Sequence, residues 1–152
     1  MIPATQPGDG DFHVQPDTTL TLPPSAYRAV TLGDHATLVL TGGTYQLENL
    51  ILGQHAKVVF QAAGDVILKG NLNSQQGCGI RPQDGADLTA NAVRFYIHGT
   101  SARLGLDNEV MANIYAPKGT VWIQGDSVVE GALIGKQVVI GLGVTVSLRS
   151  GF

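Results

Sequence analysis

The sequence predicts an all-β protein, a single β-solenoid (β-helix) of about six coils with an irregular N-terminal cap or arm. Three observations carry that prediction. Leu32-Gly33-Asp34-His35-Ala36-Thr37-Leu38-Val39-Leu40 returns as Leu52-Gly53-Gln54-His55-Ala56-Lys57-Val58-Val59-Phe60, 20 residues later. Val121-Trp122-Ile123-Gln124-Gly125-Asp126-Ser127-Val128-Val129 is echoed 17 residues later by Val138-Val139-Ile140-Gly141-Leu142-Gly143-Val144-Thr145-Val146. Periods near 20 with short β runs between glycines suit one turn of a solenoid, and the fixed Leu/Asn pattern of a leucine-rich repeat is absent. Within the repeats, apolar residues alternate at period two, as in half-buried strands. No window holds an apolar stripe of helical spacing bounded by caps.

Taken in order, residues 1–27 stand outside the repeat, because Pro3, Pro7, Pro16, Pro23 and Pro24 lack the N–H that a ladder needs. They are read as the cap or arm, and 28–152 as the solenoid. Its coils are expected at 30–49, 50–70, 71–98, 99–117, 118–134 and 135–149, the third being the least regular. Val93, Phe95, Ile97, Ile114, Ala116, Val121, Ile123, Ala132, Ile134, Val144, Val146 and Leu148 should point inward. Gly33, Gly53, Gly70, Gly125, Gly131, Gly135, Gly141 and Gly143 fall between strands, where corners need positive φ or close backbone approach. After Val144, Val146 and Leu148 no polar helix or proline follows to cover the last coil, which would leave an unpaired edge ending at Phe152.

Asn113-Ile114-Tyr115-Ala116-Pro117-Lys118-Gly119-Thr120-Val121, followed by Gly131-Ala132-Leu133-Ile134-Gly135-Lys136-Gln137-Val138-Val139-Ile140, resembles the "iYAPna.v.l.G...yGaivak.v.l.G" signature of a poorly characterised bacterial β-helix domain family. That family occurs in pilus-associated and other cell-surface proteins. Leu20-Thr21-Leu22-Pro23-Pro24-Ser25-Ala26-Tyr27 and Leu40-Thr41-Gly42-Gly43-Thr44-Tyr45 look like its turns before a strand pair, so the resemblance spans roughly residues 18–148. One departure is the ending, Arg149-Ser150-Gly151-Phe152 in place of a His-Tyr-Asp-like tail. The resemblance implies a structural or adhesive module at the cell surface or outside the cell, and it brings no catalytic residues.

Composition narrows the function further. Charged residues are only 14% of 152, and the 9 basic and 12 acidic residues form no run, so no basic stripe exists for a nucleic-acid backbone. Apolar runs fall far short of the roughly 20 residues of a membrane helix, so no membrane insertion is expected. The start of the chain shows no basic and apolar leader. This fits a cytoplasmic protein, a mature chain or an excised domain. Lone Cys78 excludes an internal disulfide framework and a Cys-rich zinc site.

Among chemically active residues, His35 and His55 occupy equivalent repeat positions and should stack about 5 Å apart, near enough to share a metal. Without a third ligand in register, no metal site is expected. Asp9-Gly10-Asp11 and Asp107-Asn108-Glu109 offer calcium-type oxygens but lack the spacing of a calcium loop, and turn chemistry accounts for both. The polar interruption 73–87, with Cys78, Arg81 and Asp84, reads as a loop on a rigid scaffold where a partner would bind. Cys78 has no oriented base nearby and reads as a loop thiol or a small buried residue. Asp65, Lys69, Arg94, Arg103 and Lys136 share no recurring offset, unlike the clustered charges of β-helix polysaccharide enzymes. Thr31, Thr37, Thr41 and Thr44 have no Thr counterparts one period on, which argues against an ice-binding ladder. Trp122 should face outward between Val121 and Ile123, with Tyr96 or Tyr115 on an adjoining rung.

The expected function is therefore a non-enzymatic structural protein without cofactors. It would form a homo-oligomer or polymer by coil stacking, or dock another surface protein, through Val144, Val146, Leu148 and Phe152. The alternative is a carbohydrate-binding or adhesive module that takes a glycan through the 73–87 loop and outward aromatics.

Overall fold

The structure is a computed structural model that describes residues 8 and 10–148. Apart from a one-turn 3-10 helix at Ala90–Ala92, the regular elements of the described residues are all strands. Among the described residues no helix is long and apolar enough to cross a membrane.

The chain winds through seven rungs. The first holds β1 (Phe12–Val14) and β2 (Thr19–Leu22); the second holds β3 (Ala29–Leu32), β4 (Thr37–Leu40) and β5 (Gly43–Leu47). The third holds β6 (Asn49–Leu52), β7 (Lys57–Phe60) and β8 (Gly64–Leu68), and the fourth β9 (Leu72–Ser74), β10 (Gly79–Pro82) and β11 (Val93–Ile97). The fifth takes β12 (Ser101–Leu104), β13 (Glu109–Met111) and the start of β14 (Asn113–Ile123). The end of β14, β15 (Val128–Glu130) and the start of β16 (Leu133–Ile140) make the sixth, and the end of β16 with β17 (Thr145–Ser147) makes the last.

Every pairing among these strands is parallel, and they form three faces. Phe12, Val30, Leu50, Leu72, Ala102, Val121 and Val138 stack inward on the first face. Leu20, Leu38, Val58, Ile80, Val110, Val129 and Val146 do the same on the second. Tyr45, Val66, Phe95, Ile114 and Leu133 line the third. These columns make one continuous core, with Phe95 edge-on to Phe60 at 6.1 Å. Both predicted offsets are ladder registers, Leu32 beside Leu52 and Val121 beside Val138.

Three expectations need correction. The ladder begins before residue 28: β1 pairs β3 and β2 pairs β4, so residues 12–27 form a first rung rather than an arm. Pro16 sits at a corner, and Pro23 and Pro24 lie between β2 and the bridge from Ala26 to Gln46, so these prolines cost no ladder bond. Counting that rung, the solenoid has seven turns rather than six. The alternation also slips at Gly131, whose φ of 149° turns the corner; Leu133 then faces inward and Ile134, beside Tyr115, faces out. Finally, 73–87 is not one loop: β9 and β10 run through it on either side of an ordinary corner, and the extra residues of the long fourth turn lie between β10 and β11.

The corner between the first and second faces repeats one backbone conformation. Asp17, His35, His55, Gly77, Asp107, Asp126 and Gly143, one per rung, all have positive φ between 55° and 74°. Asp, His and Gly are among the residues that tolerate this left-handed region best. Gly53 precedes such a residue for a different reason: a Cβ there would lie 2.9 Å from backbone atoms of the rung before it. The next position points inward and is filled by Ala36, Ala56, Cys78, Asn108 and Ser127, all buried.

Candidate functional site

Three surfaces are candidate sites: the flank around Cys78 and Arg81, the Trp122 face, and the C-terminal rung. On the second face, Gly77 and Gly79 carry no side chain where neighbouring rungs carry His55 and Lys57. A cleft of about 390 Å³ opens there, with Lys57 and Arg81 toward one side and Asp107, Glu109 and Asp126 toward the other. The charges of this cleft come from rungs of unequal length, so no constant offset links them in the sequence. Arg81 is held by Asp84 through a 3.0 Å ion pair. Cys78, by contrast, is buried beneath the corner, and its thiol donates to the Gly53 carbonyl at 3.0 Å. Burial pushes the thiol pKa up, which disfavours the reactive thiolate. The same corner stacks the imidazoles of His35 and His55, and among the described residues no three His, Cys, Asp or Glu side chains are grouped to hold a metal. Asp107-Asn108-Glu109 is likewise a corner, with Asp107 at positive φ, Asn108 buried and Glu109 on the cleft. Asp9 lies outside the described residues.

Two charges that share no offset with the rest do meet: Arg94 and Asp65, on neighbouring rungs of the third face, form a 2.7 Å ion pair. Tyr96 and Tyr115 pack edge-on at 6.4 Å on that same face. Trp122 lies elsewhere, on the first face, so the tyrosines do not extend its surface. It points outward between buried Val121 and Ile123, 42% exposed, with the Arg103 guanidinium 5.6 Å from its ring centre. Leu106, Gln124 and Val139 complete a shallow, mainly apolar hollow beside it.

The last rung differs from all others. Its inward-facing Val138, Ile140 and Val146 are 39%, 44% and 45% exposed. Their counterparts on the first described rung are better covered: Val14 is 3% exposed, and Phe12 and Leu20 are partly buried against the core. Leu142 and Leu148 are largely exposed, and Val144 is partly buried against the core. On their outer side, the end of β16 and β17 pair with no other strand among the described residues. Phe152, predicted to share this end, lies outside the described residues.

Seven parallel rungs, with core positions left exposed on the last described one, define a β-solenoid. The chain belongs to the family described as a domain of unknown function, DUF7305, which it matches over residues 8–149. No curated protein and no solved structure matches it. The β-helix architecture implied by the Tyr115-Ala116-Pro117 signature is the one observed, and the signature itself turns the chain from the third face to the first within β14.

Proposed function

We propose that the protein is a non-enzymatic structural module that self-associates or docks a partner chain through its C-terminal rung, in a surface or filamentous assembly. The exposure of Val138, Ile140 and Val146 carries this reading, because these are core positions in every other rung. A strand edge above an uncovered core is the arrangement that takes up a further strand. The pilus-associated and surface proteins that the Tyr-Ala-Pro signature resembles support the setting, outside the cell or at its surface.

Sedimentation velocity over a hundredfold concentration range, on the 152-residue chain and on Val146→Lys, tests this reading. The expected result is association lost in Val146→Lys with the β circular-dichroism signal retained. A strict monomer at every concentration would overturn self-association. A second reading, carbohydrate binding, rests on Trp122 with Arg103 and its hollow, since an exposed indole is a stacking platform for a sugar ring. It is supported by glycan binding that Trp122→Ala abolishes and Val146→Lys leaves intact.

A further inference from the structure

Resting on the reading that the C-terminal rung associates, we infer that its occupant is a second copy of the chain, joined tail to tail in a closed dimer with antiparallel strands across the junction. Four observations converge on this partner.

The two ends are unlike. The first rung leaves less apolar surface to cover, since Val14, Leu22 and Tyr27 are buried and Phe12 and Leu20 are partly buried against the core. It is also charged, with Asp11 tied to Arg28 and Asp17 at the corner. Charge on an edge resists an added strand, so head-to-tail stacking would set an uncharged apolar edge against a charged one.

The last rung has no such protection. Residues 137–148, Gln-Val-Val-Ile-Gly-Leu-Gly-Val-Thr-Val-Ser-Leu, contain no charged residue and no proline. An uncharged edge meets its own copy without like-charge repulsion, which a charged edge facing itself does not.

Geometry then fixes direction. Two solenoids of the same hand that face each other end to end run their terminal strands in opposite senses, so the junction is an antiparallel ladder. The contact is isologous and closes at two copies.

Magnitudes show why backbone pairing must take part. Covering three or four half-exposed Val, Ile or Leu side chains contributes on the order of 3–5 kcal/mol. Association costs about 4–15 kcal/mol in lost rigid-body freedom. Apolar contact alone leaves the dimer marginal, and ladder bonds from the ends of β16 and β17 supply the remainder.

The test places one spin label at a time, at Thr145→Cys on the last rung or Thr19→Cys on the first, in a Cys78→Ala background. Label distances are read alongside the sedimentation mass. A tail-to-tail dimer gives a doubled mass that does not grow further, a 145-to-145 distance within about 30 Å and a 19-to-19 distance of about 60 Å, from rungs spaced about 4.8 Å apart. Adding Val146→Lys should return the mass to monomer and remove both distances. A growing polymer with equal distances of about 34 Å at both labels, set by seven rungs per copy, would overturn the closed dimer and leave C-terminal association standing. A monomer throughout would overturn both.

Discussion

The imidazoles of His35 and His55 lie face to face, ring centres 5.1 Å apart and planes inclined by 15°, at the same corner of successive rungs. Both residues have left-handed backbone, φ 60° and 56°. The stack continues onto Gly77, where a Cβ would fall 2.2 Å from His55 Nδ1. The corner therefore selects for backbone tolerance first and side-chain chemistry second.

On this basis His55→Asn should leave stability within about 0.5 kcal/mol, whereas His55→Val should cost about 1–2 kcal/mol, because a β-branched residue is strained at positive φ. Urea midpoints of the two variants check the contrast. Equal losses would mean that ring stacking, not backbone conformation, holds the corner.

Asn108 is buried and bridges three rungs. Its amide donates to the Gln75 and Leu106 carbonyls at 2.8 and 3.0 Å, and its Oδ1 accepts from Ser74 Oγ at 2.6 Å. Its backbone N–H donates to Ser127 Oγ at 3.0 Å. Asn108→Leu keeps the branching at Cγ and strands these partners, so it should destabilise by about 1–3 kcal/mol in chemical denaturation. Combined with Ser127→Ala, the losses should not add, since both residues belong to one network.

Cys78 should resist thiol reagents in the native state and react only as the chain unfolds, because it is buried and its pKa is raised by that burial. Cys78→Ala should cost no more than about 1 kcal/mol, as Ala36 and Ala56 fill the same position on the two preceding rungs. Cys78→Leu should cost more, about 1–3 kcal/mol from overpacking. Rapid modification of folded protein would contradict this placement.

Asp11 has its pKa lowered to about 2, first by the hydrogen bond from Arg28 and next by that from the Ala29 N–H. A carboxylate held below its ordinary value of 3.8 stabilises the fold above that pH, and the stabilisation is lost as pH falls toward about 2. Asp11→Asn should therefore narrow the gap between urea midpoints at neutral and strongly acidic pH. The pair is exposed, so added salt should shrink the effect.

Much of this architecture was legible because neighbouring rungs repeat residue for residue where their lengths are equal or close, as at Leu32 and Leu52. The first rung was not, since proline in a sequence reads as a break whether it falls in a strand or, as with Pro16, at a corner. The shift at Leu133 and Ile134 was hidden because period-two alternation carries no sign of a corner inside it. The outward direction of Trp122 was legible from Val121 and Ile123 on either side of it. The charged cleft escaped notice because Lys57, Arg81, Glu109 and Asp126 come together only after an insertion between β10 and β11 has lengthened one turn.

That insertion leaves every ladder in register: the step from Leu72 to Ala102 spans 30 residues and that from Val121 to Val138 only 17, yet both pairs are adjacent. Each rung therefore needs only the one before it as a template, and folding can advance like a zipper whose teeth differ in thread length but not in pitch. A zipper opens from its ends. Of the two described ends, the last rung, with Val138, Ile140 and Val146 the least covered of their columns, is where fraying starts.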